Sequence, residues 1–158
     1  MKMGKQSKKS KIKTYDSYPI KITSWTSTYS FGLNKMKDLF EGLYSEHLCL
    51  QLNGILLGPE KVANREIEVQ LLAEREIARA MTDDKFSEQK PSAIGSLASR
   101  GAKSFYWGII PFDSFPLVQE RLKAGKWKYI ILSGEALYYG SAPIDYLYFD
   151  ETFDPEEY

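Results

Sequence analysis

Between Lys126 and Phe149 the chain reads KWKYIILSGEALYYGSAPIDYLYF, a run of β-branched and aromatic residues interrupted only by short turn-forming groups. Apolar runs bounded by Gly, Ser and Pro read as consecutive β-strands. Trp127 and Tyr129 to Leu132 form the first run, and Ser133-Gly134 supplies a turn or bulge. Leu137 to Tyr139 resumes the run, Gly140 to Pro143 is turn chemistry, and Ile144 to Phe149 is extended again. Ile130, Ile131 and Leu132 leave no polar alternation, so this strand is expected to cross the middle of a sheet, covered on both faces. Further on, Tyr146 and Tyr148 are expected to share a face with Ile144, and Leu147 and Phe149 to take the other.

Two-residue alternation recurs upstream. In Tyr18 to Phe31, Ile20, Ile22 and Ser24 fall on one face and Lys21, Thr23 and Trp25 on the other, with Pro19 suited to a strand start. His47 to Leu57 alternates Leu48, Leu50 and Leu52 against His47, Cys49 and Gln51. Asn53-Gly54 is a hairpin signal, although a long strand with a bulge at Gly54 fits the same residues. Ile67, Val69 and Leu71 alternate with Glu66, Glu68 and Gln70, the pattern of a half-buried antiparallel strand. Leu71 to Met81 holds good helix formers, but the clean alternation favours a strand followed by irregular chain. Residues 82–100, rich in Ser, Asp, Lys and Gly, read mostly as loop. Ser104 to Pro111 is a short strand.

Two stretches change period. Leu33, Met36, Phe40 and Leu43 make one helical stripe between Leu33 and Tyr44. In Ser114 to Gly125, Ser114 stands at a capping position, Pro116 suits a first turn and Gly125 stands where a helix-ending glycine belongs. The expected fold is therefore mainly β (α+β). It is an antiparallel β-sandwich or open barrel with two short helices, near 33–44 and 114–124.

Charge is segregated on a chain whose net charge is zero. Residues 1–28 carry seven lysines against Asp16, whereas residues 129–158 carry seven carboxylates and no Lys or Arg. Residues 1–13 are expected to be a disordered basic tail, 14–150 a single β-rich domain and 151–158 an acidic tail. No apolar run reaches the length of a membrane helix and none follows the basic N-terminus as a signal-peptide core, which leaves the cytoplasm as the default location.

The lone Cys49 excludes an internal disulfide and the lone His47 leaves few triads. On one strand, His47 and Cys49 stand ~6.5–7 Å apart, beyond the contact a nucleophile and its base need. Phosphate-cradling glycine motifs, GxSxG and HExxH are absent; Gly95 to Gly101 only resembles an anion loop. The acidic tail lacks the spacing of a calcium loop, so no metal or cofactor is expected. A carboxylate-based site using Asp113, Glu120, Glu135 and Asp145 leaves no sequence trace and stays open.

Fourteen per cent of the residues are aromatic, eleven of them Tyr, a composition that serves both sheets and binding surfaces. The chain is expected to be a non-enzymatic intracellular interaction module with an unidentified protein partner. Tyr138, Tyr139, Tyr146 and Tyr148 are the candidate binding residues. A second reading is a nucleic-acid-binding domain. There the basic arm joins Arg121, Lys123, Lys126 and Lys128 around Trp127 and Tyr129, and Lys103 beside Phe105 to Trp107, to stack bases and neutralise phosphates.

Overall fold

The computed structural model describes residues 13–33, 44–75 and 91–157. Seven strands dominate it: β1 (Tyr15–Leu33), β2 (Tyr44–Leu56), β3 (Glu66–Glu74), β4 (Gly95–Arg100), β5 (Lys103–Pro111), β6 (Tyr129–Glu135) and β7 (Ser141–Asp150). They close into a barrel in the order β1-β2-β3-β5-β4-β7-β6, with β6 returning to β1. Of the two expected architectures it is the barrel that forms, and it is closed. All neighbours are antiparallel except β3 and β5, which run parallel. One α-helix, α1 (Phe115–Lys123), links β5 to β6. The stripe between Leu33 and Tyr44 falls on residues 34–43, outside the described residues; Leu33 and Tyr44 themselves belong to strands.

The inward residues of each strand build one core: Tyr18 and Ile20, Leu50 and Leu52, Ile67, Val69 and Leu71, Leu97, Tyr106, Ile130 and Leu132, and Ala142 and Ile144. Alternation in β3 runs as the sequence predicts, Ile67, Val69 and Leu71 inward. Tyr106 lies fully buried along the barrel interior. A Cβ on Gly108 would stand 2.2 Å from its hydroxyl and one on Gly95 2.3 Å. The two glycines are partners in the β4–β5 register, and together they leave the space the ring occupies.

Phe115, Val118 and Leu122 of α1 are buried against the same core. The helix ends at Ala124 with Gly125 at φ +66, Gly125 N–H bonding Leu122 O and Lys126 N–H bonding Arg121 O. These are the two reciprocal bonds of a Schellman ending, as Gly125 predicts. Ser114, by contrast, makes no side-chain cap bond.

Several readings are corrected. Residues 95–100 are strand β4, not loop, because their Ser and Gly residues pair with β5 on one side and β7 on the other. Gly95 to Gly101 is thus a strand and its turn rather than an anion loop. Asn53-Gly54 makes no hairpin: β2 continues through both, and the bulge lies on the partner strand, where Ile22 faces Gly54 and Ser24 faces Asn53 with Thr23 between them. That extra residue reverses the phase. Trp25 therefore joins Ile22 against the core instead of sharing a face with Lys21. The same device operates in β7, where Ile144 faces Gly134 and Tyr146 faces Ser133 with Asp145 between them. Ile144 points inward while Tyr146 is exposed, so the two do not share a face. Leu137 to Tyr139 does not resume a strand. Tyr138 bridges Ser141 around Tyr139 (φ 49) and Gly140 (φ 76), the two positive-φ positions of a hairpin turn.

β1 is longer than the barrel. Its first part, Tyr15 to Lys21, pairs with β6; its continuation to Leu33 pairs, among the described residues, with β2 alone. Among the described residues β3 accompanies β2 only from Cys49 onward, so Tyr29 to Leu33 and Tyr44 to Leu48 extend as a two-stranded arm.

Candidate interaction surfaces

Opposite residues in an antiparallel pair share a face. One face of the arm carries Leu33 with Tyr44, Phe31 with Glu46 and Tyr29 with Leu48, then runs into the barrel interior at Leu50 and Leu52. The other carries Ser30 with His47, Thr28 with Cys49 and Thr26 with Gln51. The first face is aromatic and open: Tyr29 is 61% exposed, Phe31 and Leu33 63% each and Tyr44 59%. Phe31 and Tyr44 stack with centroids 5.7 Å apart. Closer to the barrel, Gln119 of α1 donates to the Ser27 hydroxyl at 2.8 Å.

Glu46 ties this arm to the barrel. Its Oε2 accepts from Arg75 Nε at 3.0 Å and Nη2 at 2.8 Å, and its Oε1 accepts from the Tyr29 hydroxyl at 3.2 Å. The Arg75 guanidinium lies 3.8 Å from the Phe112 ring centroid, in the 3-10 turn Phe112–Ser114 that precedes α1. The Arg75 hydrogen bonds, with its charge, hold the Glu46 carboxyl below the usual carboxylate range.

The four tyrosines singled out in sequence fall into two pairs. Tyr138 and Tyr139 occupy the turn before β7, their rings edge to face at 4.4 Å, with Tyr139 81% exposed. Tyr146 and Tyr148 lie on the outer face of β7 with ring centroids 5.8 Å apart. Beside them the register places Tyr148, Ile131 and Pro19 in one row across β7, β6 and β1. Ile131 is fully buried although it faces out of the barrel, so the strand is covered on both faces as its sequence predicts. Phe153 packs on Tyr129 at 5.8 Å. A cleft of about 390 Å³ lies here, walled by Pro19, Leu57, Pro59, Phe153 and Pro155 with Asp16 and Ser17. The Tyr15 hydroxyl donates to the Asp145 carboxylate, joining β1 to β7.

The residues weighed for catalysis are not brought together. His47 and Cys49 stand on the polar face of the arm, and burial pushes the Cys49 thiol up, away from the thiolate a nucleophile needs. Asp113 and Glu120 sit at the α1 end of the barrel, and Glu135 at the far end of β6, about 20 Å of strand away. Glu135 receives Lys13 and Asp145 receives Tyr15, so the four carboxylates do not converge. Among the described residues no three His, Cys, Asp or Glu side chains group as metal ligands. Of the residues suggested for base stacking, Trp127 is stacked on Phe149 at 4.9 Å and packed against the core, and Lys103 pairs with Glu68 at 3.4 Å. Phe105 and Trp107 remain partly exposed.

Sequence reasoning missed Tyr29, Phe31, Leu33 and Tyr44. The signal is present as the alternation of Tyr29, Phe31 and Leu33 with Ser and Gly, but the helical period of Leu33, Met36, Phe40 and Leu43 competes with it and takes Leu33 and Tyr44 into the expected helix. Comparison with family models, with curated proteins and with solved structures finds no match to this chain.

Proposed function

We propose that the chain is a non-enzymatic protein-interaction module that takes an extended segment along the arm of β1 and β2. One observation carries the reading: from Ser24 to Leu33 β1 holds no charged residue and no proline and, among the described residues, pairs on one side only. Natural edge strands are commonly blunted by lysines, prolines or bulges. Here the sole bulge, at Thr23, precedes the open stretch. An added strand would gain main-chain hydrogen bonds from the edge and apolar contact from Tyr29, Phe31 and Leu33 beside it. The exposed Tyr138, Tyr139 and Tyr146, with the half-buried Tyr148, stand apart from the arm and are available to a separate contact.

Selection from a random displayed peptide library on the full-length protein tests this. Enrichment of uncharged, β-branched or aromatic peptides is expected, lost on Phe31→Ser together with Thr28→Lys and retained on Tyr139→Ser. Enrichment that ignores the arm variants would refute it, as would none at all. Oligonucleotide binding that weakens steeply with salt would favour the nucleic-acid reading instead.

A further inference from the structure

The edge of β1 that stands unpaired among the described residues is self-complementary. Residues Ser24 to Ser30 read S-W-T-S-T-Y-S, a palindrome in residue class about Ser27. We infer that the occupant of this edge is a second copy of the same chain, paired antiparallel through β1 across a two-fold axis at Ser27. This rests on the edge being a strand-pairing site, and it names the partner.

In that register Thr26 of one copy stands opposite Thr28 of the other, Trp25 opposite Tyr29, and Ser24 opposite Ser30. Thr–Thr and aromatic–aromatic pairs are among the favoured cross-strand combinations. An isologous contact uses each pair twice, as two-fold symmetry requires. Charge permits it: the edge is neutral from Ser24 to Leu33 and the whole chain is neutral, so copies meet neither local nor net repulsion. An unpaired foreign segment would have no reason to match a palindrome. The bulge at Thr23 ends the regular edge one residue before Ser24, which sets the limit of the pairing. Gln119 engages Ser27 through its side chain only, so that bond does not occupy the backbone edge. The joined sheet would run β2-β1-β1-β2 with both aromatic faces on one side.

Thr26 and Thr28 are exposed on the polar face, so charges introduced there leave the barrel core untouched. Sedimentation equilibrium of the full-length chain over a range of concentrations is expected to show a monomer–dimer equilibrium. Thr26→Lys with Thr28→Lys places like charges opposite each other twice and should weaken the dimer at least tenfold. Thr26→Lys with Thr28→Glu places opposite charges in the same positions and should restore it, with both variants melting like the wild type. In a Cys49→Ser background, Ser27→Cys should form an interchain disulfide on oxidation, since partners in an antiparallel pair stand ~4.5–5.5 Å apart at Cα. A dimer insensitive to the double lysine variant overturns the inference. So does a chain that stays monomeric at every concentration. If that monomer still selects extended peptides through the arm, the interaction reading stands and only self-pairing is lost; if it selects none, both fall.

Discussion

β1 and β2 each live in two environments, and the contrast between barrel and arm shows what closure contributes. Within the barrel, Leu50 and Leu52 of β2 are buried beneath the facing wall. A few residues along the same strands, Tyr29, Phe31, Leu33 and Tyr44 keep the same alternation and the same facing, yet more than half of each side chain is exposed. Alternation selects which side a residue takes; burial requires a second layer opposite. The barrel supplies that layer from its own far wall and from α1, which reaches β1 as far as Ser27.

Leucine truncation measures the contrast most directly. Leu71→Ala inside the barrel should cost about 2–5 kcal/mol in urea unfolding. Leu33→Ala on the arm should stay within about 0.5 kcal/mol. Comparable costs at both sites would mean that the arm's apolar face is covered in solution.

Glycine substitution sharpens the same comparison at smaller scale. Gly108→Ala drives a methyl into the buried Tyr106 hydroxyl and should cost about 1–3 kcal/mol. A Cβ at Gly32 on the arm meets no atom within 4 Å, so Gly32→Ala should leave the unfolding midpoint nearly unchanged.

The two buried tyrosines of the barrel differ by one hydrogen bond. Tyr18 donates to the Glu135 carbonyl at 2.9 Å, whereas the Tyr106 hydroxyl has no partner among the described residues. Tyr18→Phe should therefore cost about 0.5–1.5 kcal/mol and Tyr106→Phe nothing, or stabilise slightly. Burial, with the charge of Asp16, pushes Tyr18 up to about 12, and burial raises Tyr106 as well. An unfolded tyrosine ionises near ~10, so the unfolded state loses its proton first. Stability from these groups is complete below that pH and falls as pH rises through the folded values. Replacing both by Phe should flatten the alkaline limb of the stability profile.

The smallest effect belongs to the arm's anchor. Glu46 is held low by Arg75, so its contribution is present above the unfolded carboxylate value and disappears as pH falls through the folded one. After Arg75→Ala, NMR titration should find Glu46 shifted upward and the Tyr29 and Phe31 signals altered, with the barrel signals unmoved.

By itself the sequence determined where extended chain alternates and where it turns helical. Ile67 to Leu71, Ser104 to Pro111, the helix ending at Gly125 and the doubly covered Ile130 to Leu132 were all legible, because each depends on a local period or a single backbone requirement. Tertiary structure decided the rest. Gly95 to Arg100 becomes a strand only because β5 and β7 flank it, which its Ser and Gly residues do not announce. Thr23 and Asp145 become bulges only in register with a partner strand, and each reverses the facing of everything after it, turning Trp25 inward and Tyr146 outward. The surface at Tyr29, Phe31, Leu33 and Tyr44 was illegible for the same reason. Alternation states that one face is apolar, and only the path of the other strands determines whether anything lies against it.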